Sequence, residues 1–197
     1  MSLLTASPVR PPARRGRASF VATGVIAAVL LAAGAVTAAY LWSPAQALSA
    51  RFVPSSAAGE LASAAAIDDD SLPAIAHLDP VLRDAVRGAA AAAAADGVRF
   101  EITGGWRSRE YQQWLLDDAI TTYGSEEIAR QFVATPDRSH HVTGHAVDVG
   151  PLDAQFWLIE HGAGWGLCQI YANERWHFEI ATDPGGECPA LLPDAEG

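Results

Sequence analysis

The chain has 197 residues and half of them are apolar, so it is long enough for one domain with a buried core and is not of disordered composition. Its net charge is −10, although four of its 13 basic residues precede Phe20. Without those four arginines, nine basic residues stand against 23 acidic ones. This balance argues against a body that binds nucleic acid or an anionic membrane surface.

The first 42 residues are typical of a targeting segment. An arginine-rich stretch, residues 1–19, precedes residues 20–42, which carry no charge and could cross a hydrocarbon core of about 30 Å as a helix. The arginines on one side and Tyr40 and Trp42 on the other predict an N-terminus-inside orientation. We interpret residues 20–42 as a transmembrane signal anchor, and a signal peptide cleaved near Ala47 is the alternative. Both predict an extracytoplasmic domain, attached to the membrane or secreted.

Residues 43–78 are interpreted as a linker. They are rich in Pro, Ser and Ala and include the acidic run Asp68–Asp70. Their apolar residues show no extended helical or strand periodicity. The globular domain is therefore predicted to cover residues 79–197.

Helical and strand patterns are mixed within this predicted domain. Asp79 can cap a helix that has Pro80 at its first position, and Ser108 can cap another. Helices are predicted over residues 79–95, 108–123, 125–133 and 152–161. Strands are predicted over residues 98–103, 146–149, 167–171 and 176–181. Because there is no βαβ rhythm, the predicted class is α+β, a small antiparallel sheet with flanking helices.

The densest group of possible metal ligands is the segment 139–150, which holds three histidines and an aspartate. A catalytic zinc takes three protein ligands and leaves one position open. His141 and Asp148 are candidates for two of them, and His177 for the third. Glu174 precedes His177 by three residues and could take a proton from water that attacks a carbonyl.

Two further histidines of this segment, His140 and His145, stay open as alternative ligands. On a strand, His145 lies on the face opposite Asp148, which favours a surface or supporting role for it. His140 should point away from His141 if that segment is also extended.

Arg107 follows two glycines at a predicted strand-to-helix turn. A guanidinium there suits a carboxylate or a developing oxyanion in a cleft. A surface ion pair with Glu110 is the alternative.

In combination, these motifs resemble the VanY-type D-alanyl-D-alanine carboxypeptidases over about residues 75–190. These are zinc metallopeptidases that share a fold with the hedgehog signalling domain and with D-Ala-D-Ala dipeptidases. The matching residues are Ser139, His141, Gly144, Ala146 and Asp148, then Glu174, Trp176 and His177, and upstream Gly105, Trp106, Arg107, Ser108 and Gln112.

The resemblance implies a hedgehog/DD-peptidase-like fold and a role for each matching polar residue. His141, Asp148 and His177 would bind Zn²⁺, and Glu174 would be the catalytic base. Three residues would act on the substrate: Arg107 on the polarised carbonyl or the substrate itself, Ser139 on the terminal carboxylate, and Gln112 in a role not assigned in detail.

The implied substrate is a peptidoglycan stem peptide that ends in D-Ala-D-Ala, and we expect a monomer. The sequence departs from the family at Trp106, where tyrosine is usual, and at Arg175, where proline is frequent. The bond that is cut therefore stays open. An endopeptidase or dipeptidase of the same fold and a non-catalytic zinc-containing binding module are the alternatives.

Cys168 and Cys188 are the two cysteines of the chain. An extracytoplasmic location permits a disulfide, which would fasten the C-terminal tail to the strand before Glu174. A cysteine ligand on zinc is the alternative, and the His/Asp/His set makes it unnecessary.

Overall fold

The computed structural model describes residues 52–196. The predicted arginine-rich segment, the predicted membrane segment (residues 20–42) and the first part of the predicted linker lie outside the described residues. Among residues 52–196, no helix combines the length and apolar character needed to cross a membrane.

A four-stranded antiparallel sheet forms the centre of the fold. Its strands are β1 (Glu101–Gly104), β2 (Ala146–Gly150), β3 (Leu167–Gln169) and β4 (His177–Ile180), in the spatial order β1-β2-β4-β3. The predicted small antiparallel sheet is therefore present. β1 and β3 are shorter than predicted, because only part of each predicted segment finds a neighbouring strand to pair with.

Residues 52–196 also form five α-helices. They are α1 (Pro73–Ala76), α2 (Pro80–Ala95), α3 (Arg109–Tyr123), α4 (Glu126–Arg130) and α5 (Leu152–His161). The predicted caps are found: Asp79 accepts hydrogen bonds from the backbone N–H groups of Val81 and Leu82, and Ser108 accepts one from that of Tyr111. These contacts satisfy N–H groups that have no partner within a helix.

The two faces of the sheet have different roles. Val147, Val149 and Phe178 are fully buried and pack in the main core with side chains of α2 and α5. Because side chains alternate along a strand, Asp148 and His177 lie on the opposite face. They also face each other across the β2–β4 pairing. The core thus fixes the sheet, and the sheet presents polar groups on its other side.

The predicted linker is wrong over residues 52–78, which belong to the compact unit that begins at Phe52. Ile67, Ile75 and Leu78 are buried in the main core. Ala65 exchanges two backbone hydrogen bonds with Ile102, at 2.9 and 2.8 Å. These contacts join residues that are distant in sequence, so no local periodicity shows them.

Candidate metal centre and active site

His141, Asp148 and His177 bring three potential ligand atoms together in a buried position. Asp148 lies on β2 and His177 at the start of β4, while His141 comes from the turn that precedes β2. Nε2 of His141 lies 3.2 Å from Nδ1 of His177, and Oδ1 of Asp148 lies 3.3 and 3.4 Å from these two nitrogens. The three atoms form a nearly equilateral triangle.

This triangle fits a tetrahedral zinc ion. Zinc bonds to nitrogen and oxygen of about 2.0–2.1 Å place neighbouring ligand atoms of a tetrahedron about 3.3–3.4 Å apart. Oδ1 of Asp148 is also a buried atom with no hydrogen-bond partner among the described residues. Burial of an unpaired carboxylate oxygen is energetically unfavourable, and a cation bound at this atom would remove that penalty.

Each ligand is held by a contact on its other side. His141 donates from Nδ1 to the backbone carbonyl of Gly105 at 2.8 Å, and Arg107 donates to Oδ2 of Asp148 at 2.7 Å. His177 donates from Nε2 to Oε1 of Glu179 at 2.8 Å. These contacts leave the three inner atoms free for a metal.

The charges of the site are strongly coupled. Burial opposes ionisation of Asp148, but His141, His177 and Arg107 outweigh it and hold the pKa of that carboxyl well below its usual value. Burial lowers the pKa of His141. Burial also acts to lower the pKa of His177, but the neighbouring carboxylates of Asp148 and Glu179 raise that pKa to about 9. In the metal-free protein, a protonated His177 therefore balances part of the negative charge.

Glu174 lies beside the ligands without joining their triangle. It is buried in the turn before β4, and its Oε2 is 3.7 Å from Nδ1 of His177. Burial raises its pKa to about 7, although His177 opposes the shift. A carboxylate in this position can accept a proton close to the metal.

Arg107, Gln112 and Ser139 line the same cavity, which has a volume of about 210 Å³. The Arg107 guanidinium donates to Oε1 of Gln112 at 3.2 Å, and the Gln112 amide donates to the backbone carbonyl of Ala134 at 2.8 Å. The structure therefore places Arg107 in the site, with no ion pair to Glu110 among its contacts. Phe132, Val133 and Ala195 add apolar walls.

The two other histidines of the segment occupy different environments. His145 is exposed and contacts the hydroxyl of Thr143, in agreement with the strand alternation. His140 lies in a turn, because residues 140–144 are not extended, and its Nδ1 is 2.5 Å from Oε2 of Glu179. Sequence reasoning missed Glu179. Its spacing of two residues from His177 on a strand is the signal that could have indicated a shared face.

Residues 52–78 pack against the two turns that carry His141 and Arg107. Gly144 has a positive φ of 76°, and a Cβ there would lie 2.4 Å from the backbone oxygen of His77. The backbone N–H of Trp106 bonds to the carbonyl of Ala74 at 2.8 Å. The turns that carry His141 and Arg107 therefore pack directly on the segment before α2.

The predicted disulfide between Cys168 and Cys188 is present. Beyond it the C-terminal tail returns to the site, where Leu192 pairs with Tyr171 and Glu196 forms an ion pair with Arg130 at 2.9 Å. Ala195 is buried and lines the cavity. The bridge therefore fixes the beginning of a segment that completes a wall of the site.

Comparison with known proteins gives a family match. The sequence profile of the family described as VanY, D-alanyl-D-alanine carboxypeptidase, matches residues 76–182. A D-alanyl-D-alanine carboxypeptidase of Enterococcus faecalis is 29% identical over 112 residues, which cover 44% of this chain and 42% of that protein. The chain thus matches less than half the length of this curated relative.

Two solved structures are also similar. A mutant of the vancomycin-resistance D,D-pentapeptidase VanY, solved in complex with Zn(II), is 27% identical, with 52% of this chain and 71% of that chain covered and a TM-score of 0.49. The vancomycin-resistance D,D-dipeptidase VanXYg, in complex with a D-Ala-D-Ala phosphinate analogue, is 24% identical, with 59% and 54% covered and a TM-score of 0.50. The second likeness is evidence of a shared fold.

Proposed function

Because the chain belongs to the VanY family of D-alanyl-D-alanine carboxypeptidases, we propose that it is a zinc peptidase that removes the terminal D-alanine from peptidoglycan stem peptides. The observation that carries this proposal is the triangle of His141, Asp148 and His177, with sides of 3.2–3.4 Å and an unpaired buried oxygen, next to the carboxylate of Glu174. A binding module needs no such proton acceptor beside its metal.

Zinc is the metal that suits this donor set. Two neutral imidazole nitrogens and one carboxylate oxygen make a three-ligand set typical of catalytic zinc, with a fourth position left for water or substrate. Bound by His141, Asp148 and His177, the ion supplies Lewis acidity that polarises a carbonyl and lowers the pKa of water.

The side chains around it divide the remaining work. Glu174 takes a proton from the attacking water and delivers it to the amine that leaves when the peptide bond breaks. Arg107 places its positive charge at the cavity wall, where it stabilises the negative charge that develops on the carbonyl oxygen. Gln112 keeps the guanidinium in position through its hydrogen bond.

The dimensions of the cavity support a small leaving residue. Its volume of about 210 Å³ and its apolar walls suit the methyl group of an alanine better than a long side chain. Ser139 is buried in this lining and is the proposed contact for the terminal carboxylate. A wider groove of about 860 Å³ continues from Ser139 and His140, and provides room for the rest of the peptide.

We place the reaction outside the cytoplasm. The uncharged segment 20–42, the arginines before it and the disulfide between Cys168 and Cys188 all support this location. Membrane attachment through that segment and a monomeric state are part of the same proposal.

The test is incubation of the zinc-loaded protein with a synthetic pentapeptide stem that ends in D-Ala-D-Ala, followed by product masses. Loss of one alanine supports the proposal. Loss of a dipeptide, or an internal cut, would assign the dipeptidase or endopeptidase alternative. No release of any product by protein that contains stoichiometric zinc would contradict a peptidase function.

A further inference from the structure

Glu179 is a buried carboxylate with no part in the steps above. Its side chain is 9% exposed, although it belongs to β4 at the edge of the wider groove. Strand alternation places it on the same face as His177, while Phe178 between them points into the core. A buried carboxylate is stable only when its oxygens have partners, and both oxygens of Glu179 have one.

The first partner is a metal ligand. Oε1 of Glu179 accepts a hydrogen bond from Nε2 of His177 at 2.8 Å. An imidazole whose proton is on Nε2 keeps the lone pair of Nδ1 free. Nδ1 is the atom of His177 that faces Oδ1 of Asp148, at 3.4 Å. The contact with Glu179 thus selects the ring orientation and the tautomer that a metal requires.

The second partner precedes another ligand in the chain. Oε2 of Glu179 lies 2.5 Å from Nδ1 of His140, whose side chain is 53% exposed. The two consecutive histidines therefore have different contacts. His141 points inward to the ligand triangle, and His140 contacts the carboxylate of Glu179. His140 holds Glu179 from the solvent side.

Among the three ligands, His177 alone is oriented by an anionic group. His141 donates to a neutral backbone carbonyl, and Asp148 accepts from a guanidinium. A carboxylate behind an imidazole both fixes the ring and makes its free nitrogen a stronger donor to a metal. Glu179 itself is not a member of the group of converging ligand atoms.

We propose that Glu179 is a positioning residue for the metal centre, which acts through His177, and that His140 holds Glu179 in place. The inference rests on the proposed zinc binding by His141, Asp148 and His177. It adds two residues, one buried and one half exposed, that set the metal affinity without contacting the metal.

The test compares zinc affinity, by competition with a chromophoric chelator, in the full-length protein and three variants. Glu179→Gln keeps the shape and an acceptor oxygen but removes the charge, and is expected to bind zinc about 10–100-fold more weakly. His140→Ala is expected to lose less affinity, in the same direction. His145→Ala is the matched control, because that histidine follows the same turn, is exposed and contacts Thr143 and Asp79 instead of Glu179.

A spectroscopic measurement separates positioning from simple stability. In the zinc-loaded wild type, the Nε2–H proton of His177 is expected as a slowly exchanging ring signal in a ¹⁵N-resolved NMR spectrum. Glu179→Gln is expected to shift or lose this signal, and to change the visible absorption of the cobalt-substituted protein.

Wild-type zinc affinity together with an unchanged ring signal in folded Glu179→Gln would overturn the inference. If Glu179→Gln does not fold, the zinc affinity of His140→Ala is the deciding measurement. An unchanged zinc affinity in that variant would also overturn the inference. Failure of the wild type itself to bind zinc would instead contradict the proposed function, so the two failures are distinguishable.

Discussion

At the scale of single residues, Glu174 differs from the ligands because its carboxylate lies 3.7 Å from His177 yet outside the triangle. Glu174→Gln keeps the size of the side chain and removes the proton acceptor. We therefore expect hydrolysis of the stem peptide to fall about 10²–10⁴-fold. Zinc content, measured by atomic emission, should remain at the wild-type level.

A glutamate far from the cavity provides the control for this substitution. Glu160 on α5 has a side chain that is 78% exposed, so Glu160→Gln should leave both turnover and zinc content unchanged. Full activity of Glu174→Gln would mean that another group accepts the proton. Loss of zinc from it would mean that Glu174 contributes to the metal site directly.

His177 makes zinc binding dependent on pH. Its pKa in the metal-free protein is raised to about 9, so below that pH a proton occupies the ring and zinc must displace it. The apparent affinity should consequently fall about tenfold for each pH unit of acidification between pH 8 and pH 6. Calorimetric titrations in two buffers of different ionisation enthalpy should show about one proton released per zinc at pH 7. A zinc affinity that does not change between pH 8 and pH 6 would contradict the displacement of a proton from His177 by zinc.

At the scale of elements, the bulge of β1 makes room for the ion pair behind the metal. Ile102 pairs with Val149 and Gly104 with Asp148, so Thr103 is extra at this point of the strand. A Cβ on Gly104 would lie 2.2 Å from Oδ2 of Asp148 and 3.0 Å from the Arg107 guanidinium. The glycine is needed for space, since its φ is not positive.

Gly104→Ala should therefore push Asp148 and Arg107 apart. We expect a loss of about 1–3 kcal/mol in the free energy of unfolding, as for other overpacked sites, together with weaker zinc binding. Urea unfolding and chelator competition measure the two effects. Gly164→Ala is the control, because a Cβ there has no neighbour within 4 Å. Equal behaviour of the two variants would show that the bulge tolerates a side chain.

The elements themselves could largely be predicted from local sequence. Asp79 with Pro80 and Ser108 mark the beginnings of α2 and α3, because a cap acts on the next three residues and leaves a local pattern. For Glu179, the local pattern indicates only a face shared with His177. Its contact with His140 could not be predicted from local sequence, because His140 lies 39 positions earlier and contacts Glu179 only after the turn and β4 come together.

At the scale of the whole molecule, the site was predicted more fully than the extent of the domain. The chemistry of their side chains makes His141, Asp148, His177 and Glu174 candidates, and the resemblance to a known family then selects them. The sequence predicts a linker over residues 52–78 because short apolar stretches separated by Ser and Asp have no helical or strand period. Their contacts, such as Ala65 with Ile102 and Ala74 with Trp106, are with residues more than thirty positions away.

The long-range contacts of residues 52–78 lead to a prediction about the smallest part of the chain that folds. A protein that begins at residue 79 lacks Ile67, Ile75 and Leu78, and burial of each such side chain contributes about 1.5–3 kcal/mol. Because the total stability of a domain is about 5–15 kcal/mol, their joint loss should leave that protein unfolded or close to it. It also loses the backbone contacts that brace Trp106 and Gly144. A protein that begins at residue 52 should fold and bind zinc.

The proteins that begin at residues 79 and 52 are compared by circular dichroism during thermal unfolding and by their zinc stoichiometry. Ile75→Ala in the full-length chain is the milder version of the same change, with an expected loss of about 2–5 kcal/mol because the residue is fully buried. If the protein from residue 79 unfolds cooperatively at the wild-type temperature and binds one zinc, residues 52–78 are not needed for the fold or for the metal site. If it folds but loses zinc, these residues brace the site without being needed for the core.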